Sequence, residues 1–258
     1  MPYLFQDTDL SARRLSVLAE VFTPASQAFL QDVVQARPEL ALDLGCGPGY
    51  TTRLLAETTD CEQAFGLDAS AHFVELATEK HANARISFVH HDLTHIPFPI
   101  GTGDLLFCRM LLTHLRDPLA IIELWATQVR PHGLLLLDEV EWIRIEHPLF
   151  REYLSVVDAM LGQQANQLYI GPLLDQQHPG GDLKRRLSQV YHLPVSTKQA
   201  ATMFSLNIPA WKLQPFIQEH YEPGVIEQLE QAMRELAEHA TAEDEIEWGM
   251  RQVAYERI

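Results

Sequence analysis

Residues 40–56 read LALDLGCGPGYTTRLLA. An apolar run leads into three glycines and a proline at Gly45, Gly47, Pro48 and Gly49, and a helix-like run leads out. Glycine serves where backbone must approach a ligand closely or take a positive φ. A strand, a tight turn and a helix N-terminus also set backbone N–H groups and the positive end of a helix dipole beside whatever binds there. The spacing separates the candidate ligands. A phosphate-binding loop needs GxxxxGK followed by Ser or Thr, and no such pair follows here. The dinucleotide pattern GxGxxG wants a small third residue, and counted from Gly45 that place falls to Tyr50.

Outward from the loop, short apolar runs alternate with helical patterns. ELALDL (39–44), QAFGLD (63–68), RISFVHHD (85–92), DLLFCRM (104–110) and GLLLLDEV (133–140) read as five strands. Helices are predicted over 50–58 and 70–81, and another opens at Asp117-Pro118, an N-cap acid followed by proline at the first helical position. Strands alternating with helices specify a parallel sheet covered on both faces. Before this core, residues 11–36 read as two short helices broken at Thr23-Pro24. After Trp142 the rhythm stops. Residues 148–190 read as helical pieces broken at Gly162, Gly171-Pro172 and Pro179-Gly180-Gly181, 195–206 as a sixth strand, 224–240 as an amphipathic helix, and 249–258 as a closing strand. The expectation is one α/β domain, a Rossmann-like, mostly parallel seven-stranded sheet with helices on both faces. It comprises an N-terminal helical segment (1–37), a binding core (38–145), a helical insertion after the fifth strand (146–192) that serves as a lid, and a C-terminal part (193–258).

Composition narrows the partners. With 19 basic and 35 acidic residues the net charge is −16, which repels a phosphate backbone and an anionic membrane surface. Cys46, Cys61 and Cys108 have no CxxC spacing, which reads as a reduced, cytoplasmic chain without a zinc cage. The start, MPYLFQDTDLSARR, lacks a basic head followed by an apolar stretch, so no signal peptide is expected.

The glycine stretch fits a third pattern, D-x-G-x-G-x-G, at every fixed position from Asp43 through Gly45 and Gly47 to Gly49. In this it resembles the class I S-adenosylmethionine-dependent methyltransferases. The resemblance covers roughly residues 38–142 and continues through HLRDP (114–118) and RPHG (130–133), where His132 stands in place of the usual glycine. It implies S-adenosylmethionine as cofactor. Asp43, Gly45, Cys46, Gly47 and Gly49 would form the loop, with Asp68 on the ribose hydroxyls and Ala69 beside it. Asp92 would take the adenine amino group, the N–H of Leu93 a ring nitrogen, and Arg109 the cofactor carboxylate. Within the family the chain looks most like bacterial enzymes acting on small metabolites. The [DN]PP[YF] motif of amino-methylating nucleic-acid enzymes is absent after the fourth strand, where Cys108-Arg109-Met110-Leu111 stands.

The acceptor site is less legible. Arg109, His114, Glu139, Glu141 and Tyr169 are its candidate polar groups. His114 and Glu141 are carried forward as catalytic candidates, against a turn-packing histidine and a solvated loop acid. No metal site is expected: His90, His91, His95 and Asp92 cluster in sequence, but adjacent strand residues diverge. Two other readings stay open, a NAD(P)-dependent oxidoreductase and a non-catalytic cofactor-binding subunit.

Overall fold

A computed structural model describes residues 7–176, 180, 182–240 and 245–258. Residues 1–6 at the start of the N-terminal segment, and Pro179 and Gly181 of the Pro-Gly-Gly break, lie outside them. The core elements are β1 (Leu40–Leu44), α2 (Tyr50–Thr59), β2 (Gln63–Asp68), α3 (Ala71–His81), β3 (Ile86–His90), β4 (Gly103–Arg109), α4 (Pro118–Ala126) and β5 (Val129–Arg144), preceded by α1 (Asp9–Val33). After them come α5 (Pro148–Gln163), α6 (Gly171–Gln176), β6 (Leu183–Ser196), α7 (Thr197–Trp211), α8 (Pro215–His220), α9 (Pro223–His239) and β7 (Glu245–Arg257).

Among the described residues one seven-stranded sheet has the order β3-β2-β1-β4-β5-β7-β6. The first five strands pair in parallel, while β7 runs antiparallel to both β5 and β6. The parallel centre follows from continuous apolar strands, with Leu42, Leu44, Leu67, Leu106 and Leu137 fully enclosed between helical layers. Strand order reverses between β1 and β4, and the loops leaving those two strands diverge. A ligand crevice forms at such a switch point, at the carboxyl ends of the strands. Among the described residues no helix is long and apolar enough to cross a membrane.

Three local expectations are corrected. The N-terminal segment is one helix, not two. Pro24 sits inside α1, where it forfeits a backbone hydrogen bond at a cost of about 3 kcal/mol. Burial of Phe22, Ala25, Phe29 and Leu30 on both sides of it holds the helix straight through. Residues 195–206 are mostly α7, not a strand: Ser196 and Gln199 form a reciprocal capping box that starts a helix. The sixth strand lies earlier, at 183–196, so the insertion is helical only through α5 and α6. A register shift between Arg185 and Leu187 breaks the alternation of β6 and hides it in the sequence.

The insertion is fastened to the sheet by charge. Arg251 of β7 donates from Nε and Nη2 to the two Glu141 oxygens at 2.8 Å each, and from Nη1 to Asp175 of α6 and Ser188 of β6 at 3.0 Å each. Gly171 opens α6 directly against Glu141, where a Cβ would meet Oε2 at 2.4 Å. The Arg251 and Glu141 side chains are only 10% and 13% exposed. Removing one partner of a buried pair strands the other. Glu141→Ala is therefore expected to lower unfolding free energy by about 3 kcal/mol in urea titration. An unchanged midpoint would show that the pair is solvent-screened.

Candidate active site

The loop after β1 is built by hydrogen bonds that cross from one strand end to the next. The N–H groups of Gly45 and Cys46 both donate to Leu67 O, at 2.9 and 3.1 Å, and Gly49 N–H donates to Cys46 O at 3.0 Å. Gly47 N–H donates to Asp68 Oδ2 and Ser70 N–H to Asp68 Oδ1, each at 2.8 Å. Glycine is required here for conformation and for space. Gly45 and Gly49 have φ of +78° and +86°. A Cβ on Gly45 would stand 2.8 Å from Leu111 Cδ2, and one on Gly49 would stand 2.8 Å from Phe88 Cζ.

A cavity of about 660 Å³ opens over this loop. At one end its wall is Gly45–Pro48, Asp68–Ser70 and Asp92–Thr94, from the ends of β1, β2 and β3. The other end is walled by α1, the turn at 110–115 after β4, Glu139 and Val140 of β5, and the stretch 161–168. The turn is tied to that stretch by the Thr113 hydroxyl, which donates to Gln167 O. Trp125 Nε1 donates to Leu93 O at 2.9 Å and fixes the rim beside Asp92.

Several sequence candidates meet at this cavity: Gly45, Cys46, Gly47, Asp68, Ala69, Asp92, Leu93, Arg109 and His114 all line it. Asp92 is exposed, and the Thr94 N–H and hydroxyl hold its carboxyl below the usual range. Asp43 and Gly49 stand behind the wall. Asp43 is buried, accepts the Thr52 hydroxyl at 2.7 Å and so ties α2 to β1; burial pushes its pKa up to about 7. Arg109 reaches the cavity, but its guanidinium donates to Ser26 at 3.2 Å and lies in the field of Asp138 and Asp43. Glu141 does not line the cavity; it belongs to the Arg251 pair. Tyr169 does not line it either. His90 and His91 turn their rings to different carbonyls, Ala69 O and His95 O. Among the described residues no His, Cys, Asp and Glu gather in a metal-holding group.

Three residues were under-read or missed in the sequence. Arg14 of α1 is 7% exposed and lines the cavity. Its signal was a cation at helical spacing within the apolar stripe of Leu18 and Phe22. Asn166, 9% exposed, lines it from the insertion, where irregular sequence gave no signal. Glu139 is the third and is wholly enclosed. Its Oε1 accepts the N–H groups of Leu111 and Leu112, each at 2.9 Å. Burial pushes its carboxyl up to about 8, while burial and the nearby Arg14 push His114 down to about 3.

These shifts fix how stability responds to pH. Glu139 and Asp43 hold protons in the folded state that the unfolded chain has released, so each lowers stability as pH rises toward its folded pKa. His114 acts oppositely, but only up to its unfolded value near 6.5. Between pH 6.5 and 8 the fall is unopposed by His114, and unfolding free energy should drop by about 1–3 kcal/mol. Urea titrations at the two pH values check this. A flat or rising profile would mean that the carboxyls are ionised and solvated, and Glu139→Gln should remove much of the slope.

A methyltransferase-domain family matches residues 42–137. Trans-aconitate 2-methyltransferase of Rhizobium leguminosarum is 31% identical over 113 residues, which is 44% of this chain and 43% of that protein. An uncharacterized 37.1 kDa protein in transposon TN4556 of Streptomyces fradiae is 32% identical over 127 residues, 47% of this chain and 37% of that one. The matches thus span less than half of those relatives. The crystal structure of coclaurine N-methyltransferase superposes with a TM-score of 0.56 at 15% identity, over 91% of this chain and 72% of that one. The [4+2]-cyclase SpnF superposes with a TM-score of 0.55 at 15% identity, over 91% and 81%. At such identity the structural likeness speaks for the fold alone. Residues 42–137, which include the strand-end loop, thus match a methyltransferase domain.

Proposed function

We propose that the chain transfers a methyl group from S-adenosylmethionine to a small-molecule acceptor. The observation that carries this reading is one continuous cavity. It runs from the glycine loop and the Asp68 and Asp92 strand ends into a chamber under α1 and the insertion. The residues present fit the cofactor. Gly45 and Gly47 bring backbone without a side chain to the cavity wall, and Asp68 stands at the end of β2 where ribose hydroxyls would reach it. Asp92 and the Leu93 backbone suit the adenine edge.

S-adenosylmethionine supplies a methyl group on a positively charged sulfur, open to in-line displacement by a nucleophile. The protein's part is alignment and exclusion of water, and well-oriented reactants gain ~7–11 kcal/mol of barrier from positioning alone. Leu15, Leu18, Met110, Leu161 and Leu168 supply an apolar chamber wall for this. Among the described residues of the insertion the stretch 161–168 borders the cavity, so we assign the lid role to that stretch.

The dinucleotide alternative is disfavoured by the loop's hydrogen bonds. The N–H groups of Gly45, Cys46, Gly47 and Gly49 are all engaged within the protein, leaving no amide cradle for a pyrophosphate. A small acceptor, rather than a nucleic acid, is supported by the enclosed chamber and the acidic charge balance. Relatives named for a small organic acid point the same way. Asp68→Ala should weaken S-adenosylmethionine binding roughly 10- to 150-fold by calorimetry, about 1.5–3 kcal/mol for a charged acceptor of ribose hydroxyls. An unchanged affinity in a folded variant would reduce Asp68 to a tie for the Gly47 and Ser70 amides. NAD binding without S-adenosylmethionine binding would overturn the function.

A further inference from the structure

Two hydrogen-bond acceptors on the cavity wall have no partner. Glu139 Oε2 and Asn166 Oδ1 are both buried without a hydrogen bond among the described residues. An enclosed polar atom left unpaired costs roughly 1–3 kcal/mol, so such a pair on a ligand cavity points to a ligand that brings donors. Glu139 is the better placed. Its other oxygen is pinned by the Leu111 and Leu112 amides, and Leu111 packs directly on Gly45 at the head of the cofactor loop. The carboxyl is thus held through one oxygen, while the other stays unpaired in a residue that borders the cavity.

We propose that Glu139 is the proton acceptor of this site, and that the methyl acceptor is a hydroxyl- or amine-bearing molecule that donates to Glu139 Oε2 and Asn166 Oδ1. The inference rests on the methyltransferase reading above. In the step, the acceptor's oxygen or nitrogen gives a lone pair to the methyl carbon. The electron pair of the broken carbon–sulfur bond stays on sulfur. The hydrogen passes to Glu139 Oε2 as a proton, its bonding pair staying on the nucleophile.

Basicity separates Glu139 from the sequence's own candidate. A base works best with a pKa near the working pH. His114, at about 3, binds protons too weakly, whereas Glu139, at about 8, binds them well. Glu139 must be ionised when the acceptor arrives. The titratable groups around it are Cys108, whose thiol donates to Oε1, Asp138 beside it on β5, and Arg14, Arg109 and His114 on the cavity wall. Burial, with a smaller contribution from Asp138, holds it protonated, and a cation entering the cavity favours its ionised form.

The test is proton release on binding, measured by calorimetry at pH 7 in buffers of different ionisation enthalpy. S-adenosylmethionine and the uncharged S-adenosylhomocysteine are the probes. An opposite charge nearby lowers a carboxyl pKa by 1–3 units. Wild type should then release roughly 0.4–0.9 proton more than E139Q on binding S-adenosylmethionine, with little difference for S-adenosylhomocysteine. Carboxyl-13C resonances of Glu139 in wild type read the same titration without relying on the variant's folding. Equal proton release in wild type and E139Q, with both ligands bound, would overturn the proposal and leave the cofactor reading standing. Binding of neither ligand would overturn both. A labelled-methyl screen that finds a carboxylate or thioether acceptor, with no proton at the nucleophile, would also overturn it.

Discussion

Asp68 takes the Gly47 amide on one oxygen and the Ser70 amide on the other, each at 2.8 Å. This single carboxylate ties the loop after β1 to the start of α3 and gives the strand-end crevice its floor. Gly45 and Cys46 add their amides to Leu67 O, so the glycine loop is sewn to the whole end of β2. Without that seam the positive-φ glycines would gain freedom instead of shape, since glycine loses more conformational entropy on ordering than any other residue. Beneath the seam, Asp43 and Thr52 fix the helix that follows, and Arg109 donates to Ser26 in the field of Asp138 and Asp43. The polar groups under the loop therefore serve rigidity, and those facing the cavity are left for ligands.

The N-terminal helix and the insertion wall this crevice. α1 crosses the strand ends and contributes Arg14, Leu15 and Leu18 to the cavity, while its far end packs Phe29 and Leu30 against the core. The insertion is held at α6 by Arg251, Glu141 and Asp175 and, among the described residues, reaches the cavity through residues 161–168. A firmly anchored helix beside a short bordering stretch confines adaptation to that stretch. The chamber it forms is apolar with few polar atoms, the usual build of a site for a small ligand.

The part of the fold legible in the sequence is the part that carries strict local signals. The alternating strands and helices through Val140, and the D-x-G-x-G-x-G loop, are written in apolar runs, glycines and strand-end acids. What escaped is set by tertiary packing. Pro24 argued for two helices, and buried neighbours override it. The bulge between Arg185 and Leu187 disguised β6 as helix, and apolar content drew 195–206 toward strand although Ser196 and Gln199 spell a helix start. In the site, the residues around the cofactor loop were readable because they stand at successive strand ends. The adjoining chamber was not, because Arg14, Glu139 and Asn166 come from three distant parts of the chain. Glu141 drew attention two residues from the cavity-lining Glu139, since only the folded strand shows which acid faces in.

The central claim is that the Asp68 seam forms the floor of a cofactor site. A crystal structure of the protein with S-adenosylhomocysteine tests it most directly. The account predicts the ligand over Gly45–Gly47, its ribose hydroxyls within hydrogen-bonding distance of the Asp68 carboxylate, its adenine edge against Asp92 and Leu93, and its sulfur toward the chamber that Glu139 borders. Ligand density elsewhere on the protein, or a ribose that does not touch Asp68, would contradict it.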